Sequence, residues 1–460
     1  MSPSLGVTGR SSPARGGIDD PRRVRALSAL EPRPSISRNA AIRVVSDVVG
    51  MAFALVTATV TARYLSTAEK GRFSTLVFLE GIIAQLCGLG LSEAAIIFVR
   101  QGRVGTRELL RGQRRLVALA APIMALTEFC LATAVLHPRS VVTREAIAIS
   151  SLDVILVGVS GMLSWALLAH ERMAAISVIH VVNLAVTALI VALLVAPGAF
   201  GLRGAVVGNL IGSGTLLTGT VLLARREGGG PGHVRSLQLR PLIRFGVPIA
   251  MSSLLLALAG RFDLVVVLEI RGAAQAGVYS VALAVGSLAV LSGQAISYAT
   301  LPRLAGTRER QLEMLASIVR LTFVVSIAVA AAIASINLWL VPLAFGSRYA
   351  GAVAPAFVLL AANALTAFQW TSSRALTALG SRRAIVQSFS VSFLLMVSLD
   401  LITVGPYGLM GAAISSLVAS ATGAGVSVYH LTRRGVNLAS LVPKAADGRY
   451  LLAALSRLRP

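Results

Sequence analysis

The sequence predicts an all-α polytopic membrane protein whose twelve transmembrane helices form two lobes of six helices. The first observation is composition: 55% of the 460 residues are hydrophobic, 13% are charged and the mean hydropathy is +0.79. A water-soluble globule of this size could not cover its surface with so few charged residues. The other two observations are a series of apolar stretches and the distribution of positive charge between them.

Each apolar stretch is long enough to cross a bilayer as a helix, which takes roughly 20 residues. The twelve predicted spans are 43–65, 73–98, 116–136, 145–169, 176–196, 202–224, 242–268, 276–300, 318–343, 353–373, 385–404 and 408–431.

Positive charge is concentrated in alternate connections between these spans. One set of connections, which includes both termini, holds 33 of the 42 lysines and arginines, the other set holds eight, and Arg261 lies within a span. Basic residues near span ends stay on the cytoplasmic side of a membrane. The sequence therefore predicts that both termini are cytoplasmic and that the number of spans is even.

The spans divide the chain into five segments. We expect a disordered basic cytoplasmic tail at 1–42 with no signal peptide, an N-terminal lobe at 43–224, a cytoplasmic linker at 225–241, a C-terminal lobe at 242–431 and a basic cytoplasmic tail at 432–460. In the last tail, Leu451, Leu452, Leu455 and Leu458 recur at helical spacing, which suits either a helix on the anionic inner leaflet or a solvated tail.

The net charge of +23 does not indicate a nucleic-acid-binding protein. The charge is spread over all the predicted cytoplasmic ends, as membrane orientation alone requires. The two cysteines, Cys87 and Cys130, lie inside spans, and the five histidines have no ligand spacing. We therefore expect no nucleic-acid partner, no metal site and no cofactor.

The two halves of the chain repeat each other. At an offset of 206 residues, the pairs Arg38 and Arg244, Gly71 and Gly277, Phe73 and Tyr279, and Ser74 and Ser280 align. At an offset of 207 residues, the segment 201–205 aligns with 408–412. Because six spans is an even number, both lobes have the same orientation, which is typical of transporters with a cavity between two rocking lobes.

Several motifs in order resemble the polysaccharide exporters of the multidrug/oligosaccharidyl-lipid/polysaccharide (MOP) flippase superfamily. They are Ala62-Arg63-Tyr64-Leu65, Glu69-Lys70-Gly71-Arg72-Phe73, Arg244-Phe245-Gly246-Val247-Pro248, Arg261-Phe262-Asp263, the run 276–282, Leu301-Pro302-Arg303 and the run 407–414. The resemblance extends over about 38–431.

The resemblance implies a flippase, not an enzyme, that turns a polyprenyl-diphosphate-linked oligosaccharide across the bacterial inner membrane for surface polysaccharide biosynthesis. Its expected partners are that lipid-linked glycan and anionic lipid, with a polysaccharide polymerase and glycosyltransferases as further candidates. A peptidoglycan-precursor flippase is disfavoured, because that branch carries two extra spans that this sequence lacks.

Ionised side chains within a span are costly and usually face protein or a water-filled cavity. Seven acids lie in the interior of the predicted spans, and the resemblance implies a central cavity lined by spans one, two, seven and eight. The candidate cavity residues are Asp47, Arg63, Glu80, Glu93, Arg261, Asp263 and Gln294. Glu128, Asp153 and Asp400 lie in other spans, where we expect contacts between helices.

Two other functions are compatible with parts of this pattern. A cation-coupled drug exporter of the same superfamily would use Asp47 or Asp263 as a proton or sodium site. A membrane-bound glycosyltransferase or polymerase is disfavoured, because the sequence has no Asp-x-Asp metal motif and only short predicted external loops.

Overall fold

The computed structural model describes residues 36–87, 95–96, 99, 106–170, 172–198, 200–227, 239–290 and 308–443, and within these ranges the regular elements are all helices. The first half contains α1 (Ile36–Tyr64), α2 (Thr67–Cys87), α3 (Thr106–Leu136), α4 (Val141–Leu163), α5 (Trp165–Ala169), α6 (Met173–Val195) and α7 (Gly201–Glu227). The second half contains α8 (Leu239–Arg261), α9 (Asp263–Arg271), α10 (Ala273–Ser287), α11 (Arg308–Phe345), a 3-10 helix (Ser347–Ala352), α12 (Val353–Ala378), α13 (Arg382–Arg433) and α14 (Leu438–Leu441).

The helices follow the predicted spans in order. Eight helical segments of the described chain are long and apolar enough to cross a membrane, and one of them, α13, covers two predicted spans. The other predicted spans correspond to α2, to α8 with α9, and to α10, which carry more charge or are described over shorter lengths. The all-helical membrane fold is confirmed and agrees with twelve spans, while the count of twelve remains a prediction.

Two helices begin well before the spans predicted from hydropathy. The helix α1 begins at Ile36 rather than at residue 43, inside the segment predicted as a tail, and α11 begins at Arg308 rather than at residue 318. The added residues of α11 include Arg308, Glu309 and Arg310. Their low hydropathy excluded them from the predicted span. A helix satisfies its own backbone hydrogen bonds, so it can continue from lipid into the headgroup region.

The long helix α13 contains a break between the two spans that it covers. Pro406 lies just before the break, and Gly408 has φ 59° and ψ −136°, which is not a helical conformation. Glycine adopts positive φ without the steric penalty that a Cβ atom brings. This break separates the eleventh and twelfth predicted spans, and the chain is helical on both sides of it.

Each half of the chain packs as a separate lobe. In the N-terminal lobe α6 packs on α1 and α7, and α4 packs on α7, α3 and α2. In the C-terminal lobe α13 packs on α8, α9 and α12, and α12 also packs on α10 and α11. The structure continues to residue 443, so the leucines near 451 lie outside the described residues.

The two lobes meet mainly where α2 packs on α10, and to a lesser extent where α2 meets α8 and where α1 meets α11. Gly71 of α2 lies against α10, where a Cβ atom would overlap the carbonyl oxygen of Ala273. Gly277 of α10 lies against α2, where a Cβ atom would overlap the carbonyl oxygen of Thr67. Both glycines lie near the face of the protein that the charge pattern predicts to be external.

Candidate functional site

Two arginines join the lobes at the predicted external face. Arg63, in the last turn of α1, donates hydrogen bonds to the carbonyl oxygens of Leu343 and Ala344 at the end of α11. Arg348, directly after α11, donates to the carbonyl oxygens of Ala62 and Arg63 at the end of α1. The last carbonyls of a helix have no partner within it and attract cations, so each arginine caps the end of a helix in the other lobe. We call this set of contacts the arginine clasp.

A cavity between the lobes lies on the cytoplasmic side of the clasp. Its wide part has a volume of about 850 Å³ and is lined by α1, α2, α6, α8, α10 and α12. The polar and aromatic side chains of this part are those of Asp47, Gln85, His180, Ser253, Arg261, Asn363, Thr366 and Trp370, together with Phe78 and Ser287. Most of these side chains are neutral, so the wide part offers hydrogen-bonding groups with little net charge.

The cavity narrows toward the predicted external face into a deep part of about 240 Å³. Two cations line this part, Lys70 of α2 and Arg261 of α8, together with hydroxyl groups such as those of Ser74 and Ser280. Lys70 is only 5% exposed and donates from Nζ to the Oγ1 of Thr61 over 2.8 Å. Lys70 and Arg261 are close enough to repel each other. The deep part therefore has a positive electrostatic character that suits an anion.

Arg261 faces the cavity, and its side chain is exposed there. Among the described residues no hydrogen bond or ion pair holds its guanidinium, although Asp263 attracts it at longer range. Arg261 is the last residue of α8 and Asp263 is the first residue of α9, with Phe262 between them. The cation lines the cavity, whereas the acid is buried in the interior of its lobe.

Asp263 is 1% exposed, and its carboxyl group accepts hydrogen bonds from groups inside the C-terminal lobe. Its Oδ2 accepts hydrogen bonds from the Tyr279 hydroxyl over 2.6 Å and from the Ser416 hydroxyl over 2.8 Å. Its Oδ1 accepts a bond from the backbone N–H of Leu264 over 2.8 Å. These bonds connect α9 to α10 and α13, so the side chain has a structural role in the arrangement described here.

The predicted site residues fall into four places. Asp47 and Arg261 line the cavity, and Arg63 belongs to the arginine clasp. Glu80 and Asp263 are buried inside their own lobes and do not belong to the described cavity lining. Glu93 and Gln294 lie outside the described residues.

Sequence reasoning missed Lys70, which it counted among the external charges. The motif Glu69-Lys70-Gly71 contained the signal, because a glycine next to a lysine permits a close helix contact that can bury the lysine. The candidate cavity residues also did not include the neutral residues of the wide part, such as Asn363 and Trp370, for which contacts with a neighbouring helix were the favoured interpretation. Neutral polar residues are common in membrane helices, so their presence alone does not locate a cavity.

The sequence model of a family described as polysaccharide biosynthesis protein matches residues 36–308. A search of curated protein sequences finds no match.

Solved structures with a similar fold include three transporters. An inward-facing multidrug resistance MATE family transporter of the MOP superfamily has a TM-score of 0.65 and 15% identity, covering 86% of this chain and 98% of that chain. The lipid II flippase MurJ in an inward closed conformation has a TM-score of 0.67 and 13% identity, covering 84% of this chain and 87% of that chain. A MOP superfamily transporter from Pyrococcus furiosus has a TM-score of 0.59 and 14% identity, covering 87% of this chain and 97% of that chain. At these identities the likeness establishes the fold.

Proposed function

Because the chain belongs to the polysaccharide biosynthesis protein family, we propose that it translocates a polyprenyl-diphosphate-linked oligosaccharide across the bacterial inner membrane. The family match and the fold confirm the resemblance found in the sequence, and the fold shared with MATE transporters and MurJ supports a multi-pass flippase or transporter. The substrate, the inner-membrane location and the cytoplasmic termini are parts of the proposal. The product of this step would feed surface polysaccharide biosynthesis, where a polymerase and glycosyltransferases are the candidate partners.

The observation that carries the proposal is the pair of cations in the deep cavity. A diphosphate carries negative charge that hydrocarbon excludes, and a guanidinium can bind phosphate oxygens through two parallel hydrogen bonds. Arg261 and Lys70 supply the cations, and the neutral polar groups of the wide part suit the hydroxyl groups of a glycan. The deep part with its two cations would therefore hold the diphosphate, and the wide part with its neutral polar groups would hold the glycan.

The lobes supply a means of moving this head across the membrane. The arginine clasp and the Gly71–Gly277 contact close the cavity at the predicted external face. Rocking of the lobes would break these contacts and open the cavity to the other side, which is alternating access. The polyprenyl chain would remain in lipid while the head passes through the cavity.

Export of cationic drugs is the alternative within the same superfamily. The two cations in the deep cavity oppose it, because a cationic ligand would be repelled there. Asp47 in the wide part is the lining acid that would attract such a ligand.

Deletion of the gene distinguishes the two functions. The proposal predicts that lipid-linked glycan accumulates on the inner leaflet and that one surface polysaccharide disappears, while drug sensitivity is unchanged. Intact surface glycan together with accumulation of a cationic dye would instead establish drug export. Complementation by the intact gene, but not by an Arg261→Ala variant of equal membrane abundance, links the result to the cavity.

A further inference from the structure

Three carboxyl groups lie close together inside the N-terminal lobe, away from the cavity cations. They belong to Glu80 of α2, Glu128 of α3 and Asp153 of α4, whose side chains are 5%, 0% and 0% exposed. Three different helices thus bring an acid to one buried place. The function proposed above makes no use of these acids.

Hydrogen bonds join two of the acids through a shared amide. The Nδ2 of Asn209 in α7 donates to Asp153 Oδ2 over 2.7 Å and to Glu80 Oε2 over 3.2 Å. Both acceptor oxygens bind the same nitrogen, so the carboxyl groups of Glu80 and Asp153 lie close together. Two ionised carboxylates at such a separation repel each other, and a proton on one of them removes the repulsion.

Two further carboxyl oxygens of these acids are buried without a hydrogen-bond partner among the described residues. Within the described residues, Oδ1 of Asp153 and Oε2 of Glu128 are buried and make no hydrogen bond, whereas Glu128 Oε1 accepts one from Ser150. A buried unpaired carboxylate oxygen is costly. The described acids do not form a group with metal-binding geometry, so a proton is the ligand that this arrangement favours.

Among the described residues, the charged groups on the helices packed around the cluster lie elsewhere and do not neutralise it. Arg203 of α7 pairs with Glu145 of α4, which is eight residues, or about 12 Å along the helix, from Asp153. His180 of α6, Asp47 of α1, and Lys70 and Arg261 face the cavity, and Asp263 and Tyr279 bind each other in the other lobe. Arg111 and Arg114 lie about four turns or more from Glu128 along α3. The electrostatic neighbours of the three acids are one another.

We propose that Glu80, Asp153 and Glu128 form a proton-binding site of the N-terminal lobe that exchanges its protons with the cavity beside Asn209. Three carboxyl groups this close cannot all be ionised without a cation. Asn209 bonds the acids and also lines the deep part of the cavity, so it separates the cluster from cavity water by one side chain. In the exchange, a carboxyl O–H bond breaks, the proton passes to water and a carboxylate remains.

The position of Glu80 connects this site to the lobe contact. Glu80 and Gly71 lie on the same helix, α2, nine residues or about 13 Å apart. Loss of a proton would leave Glu80 and Asp153 both ionised and would add repulsion between α2 and α4. A shift of α2 would in turn disturb the contact of Gly71 with α10, and proton exchange would thus be coupled to opening of the lobes.

The protons can be detected without any transport substrate. The full-length protein in liposomes should show an infrared carbonyl stretching band of protonated carboxyl groups at neutral pH. This band should lose intensity in Glu80→Gln and in Asp153→Asn, and it should be unchanged in Glu145→Gln, whose carboxylate is paired with Arg203. Glu128→Gln serves as a further test if either of the first two variants fails to insert. A band of full intensity in every inserted variant of the cluster would overturn the proposal.

The coupling of proton exchange to opening of the lobes rests on the proposed function, and it is tested in a separate experiment. Undecaprenyl diphosphate that carries a fluorescently labelled oligosaccharide is the probe, and an imposed pH gradient across the liposome should change its translocation rate several-fold. The gradient should lose its effect in Glu80→Gln and keep it in Glu145→Gln. An equal response to the gradient in Glu80→Gln overturns the coupling. Absence of any translocation of the probe contradicts the proposed function instead, and the infrared result still decides whether the protons are there.

Discussion

Gly71 and Gly277 occupy equivalent places in the two sequence repeats and lie against each other's helices in the folded protein. A Cβ atom on Gly277 would lie 3.1 Å from the backbone nitrogen of Gly71, in addition to overlapping the carbonyl of Thr67. Repeats related by an axis between two lobes bring equivalent residues together at that axis. The glycines therefore set how closely α2 and α10 approach at the predicted external face.

Replacement of Gly71 by alanine should prevent this close approach. The added methyl group meets backbone atoms, which cannot rotate away as a flexible side chain can. We expect Gly71→Ala to lower translocation at least several-fold at normal membrane abundance. Gly214→Ala is the matched control, because a Cβ atom at Gly214 meets no atom within 4 Å. Equal translocation by the two variants would show that the contact is dispensable.

Loss of the arginine clasp should open the cavity to the outside. Arg63→Ala and Arg348→Ala each remove the side chain that caps the partner lobe's helix. The measurement is labelling of a Ser280→Cys variant, which lacks Cys87 and Cys130, by a membrane-impermeant thiol reagent added outside. Labelling should increase several-fold when either arginine is lost.

The control for the clasp is Arg203→Ala, since Arg203 is also exposed at the predicted external face but pairs within its own lobe. Labelling that is unchanged in both clasp variants would mean that other contacts keep the cavity closed.

The sequence was sufficient to predict the spans and their order, because a membrane helix must be apolar over a length that the bilayer sets. The extent of the helices was not predictable in the same way. The first turns of α11 contain Arg308 and Glu309, and the helix there is stabilised by its own hydrogen bonds rather than by lipid.

The direction in which each intramembrane charge points was the harder problem. A helix that is apolar on all sides has no periodicity from which its buried face can be inferred. Glu80 and Asp263 were therefore placed with the cavity residues, although α2 and α9 turn them toward the interior of their lobes. Lys70 was placed at an external turn, although α2 already begins at Thr67 and carries the lysine inward.

The membrane orientation remains a prediction of the charge pattern. Fusion points after Arg115 and after Arg240 should be cytoplasmic, so a reporter enzyme that functions only in the cytoplasm should be active there. A fusion after His137, in the connection between α3 and α4, should be active only with a reporter that works outside. An external location for the fusion after Arg240 would contradict the twelve-span arrangement.

Disruption of the Asp263 network should reduce stability and leave the cavity chemistry intact. Tyr279→Phe removes the hydrogen bond to Asp263 Oδ2 while the ring is kept. A single hydrogen bond between membrane helices contributes about 0.6–1.7 kcal/mol, so thermal unfolding in detergent should occur at a temperature a few degrees lower. Ser280→Ala is the comparison, because the Ser280 hydroxyl bonds only to the Gly277 carbonyl in its own helix. Equal unfolding temperatures in the two variants would argue against a structural role of the Tyr279–Asp263 bond.

Arg261 and Lys70 should contribute to substrate binding in different ways. Arg261 offers a planar fork that can bind a phosphate through two hydrogen bonds, and it has no hydrogen-bond partner among the described residues. Arg261→Ala should reduce translocation about tenfold or more at normal abundance, and Arg261→Lys should reduce it less because the charge is kept. Lys70→Met should also reduce translocation, but it leaves the Thr61 hydroxyl without its partner and should lower abundance as well. Membrane abundance measured beside translocation separates these effects, and normal values of both in Arg261→Ala would remove Arg261 from the site.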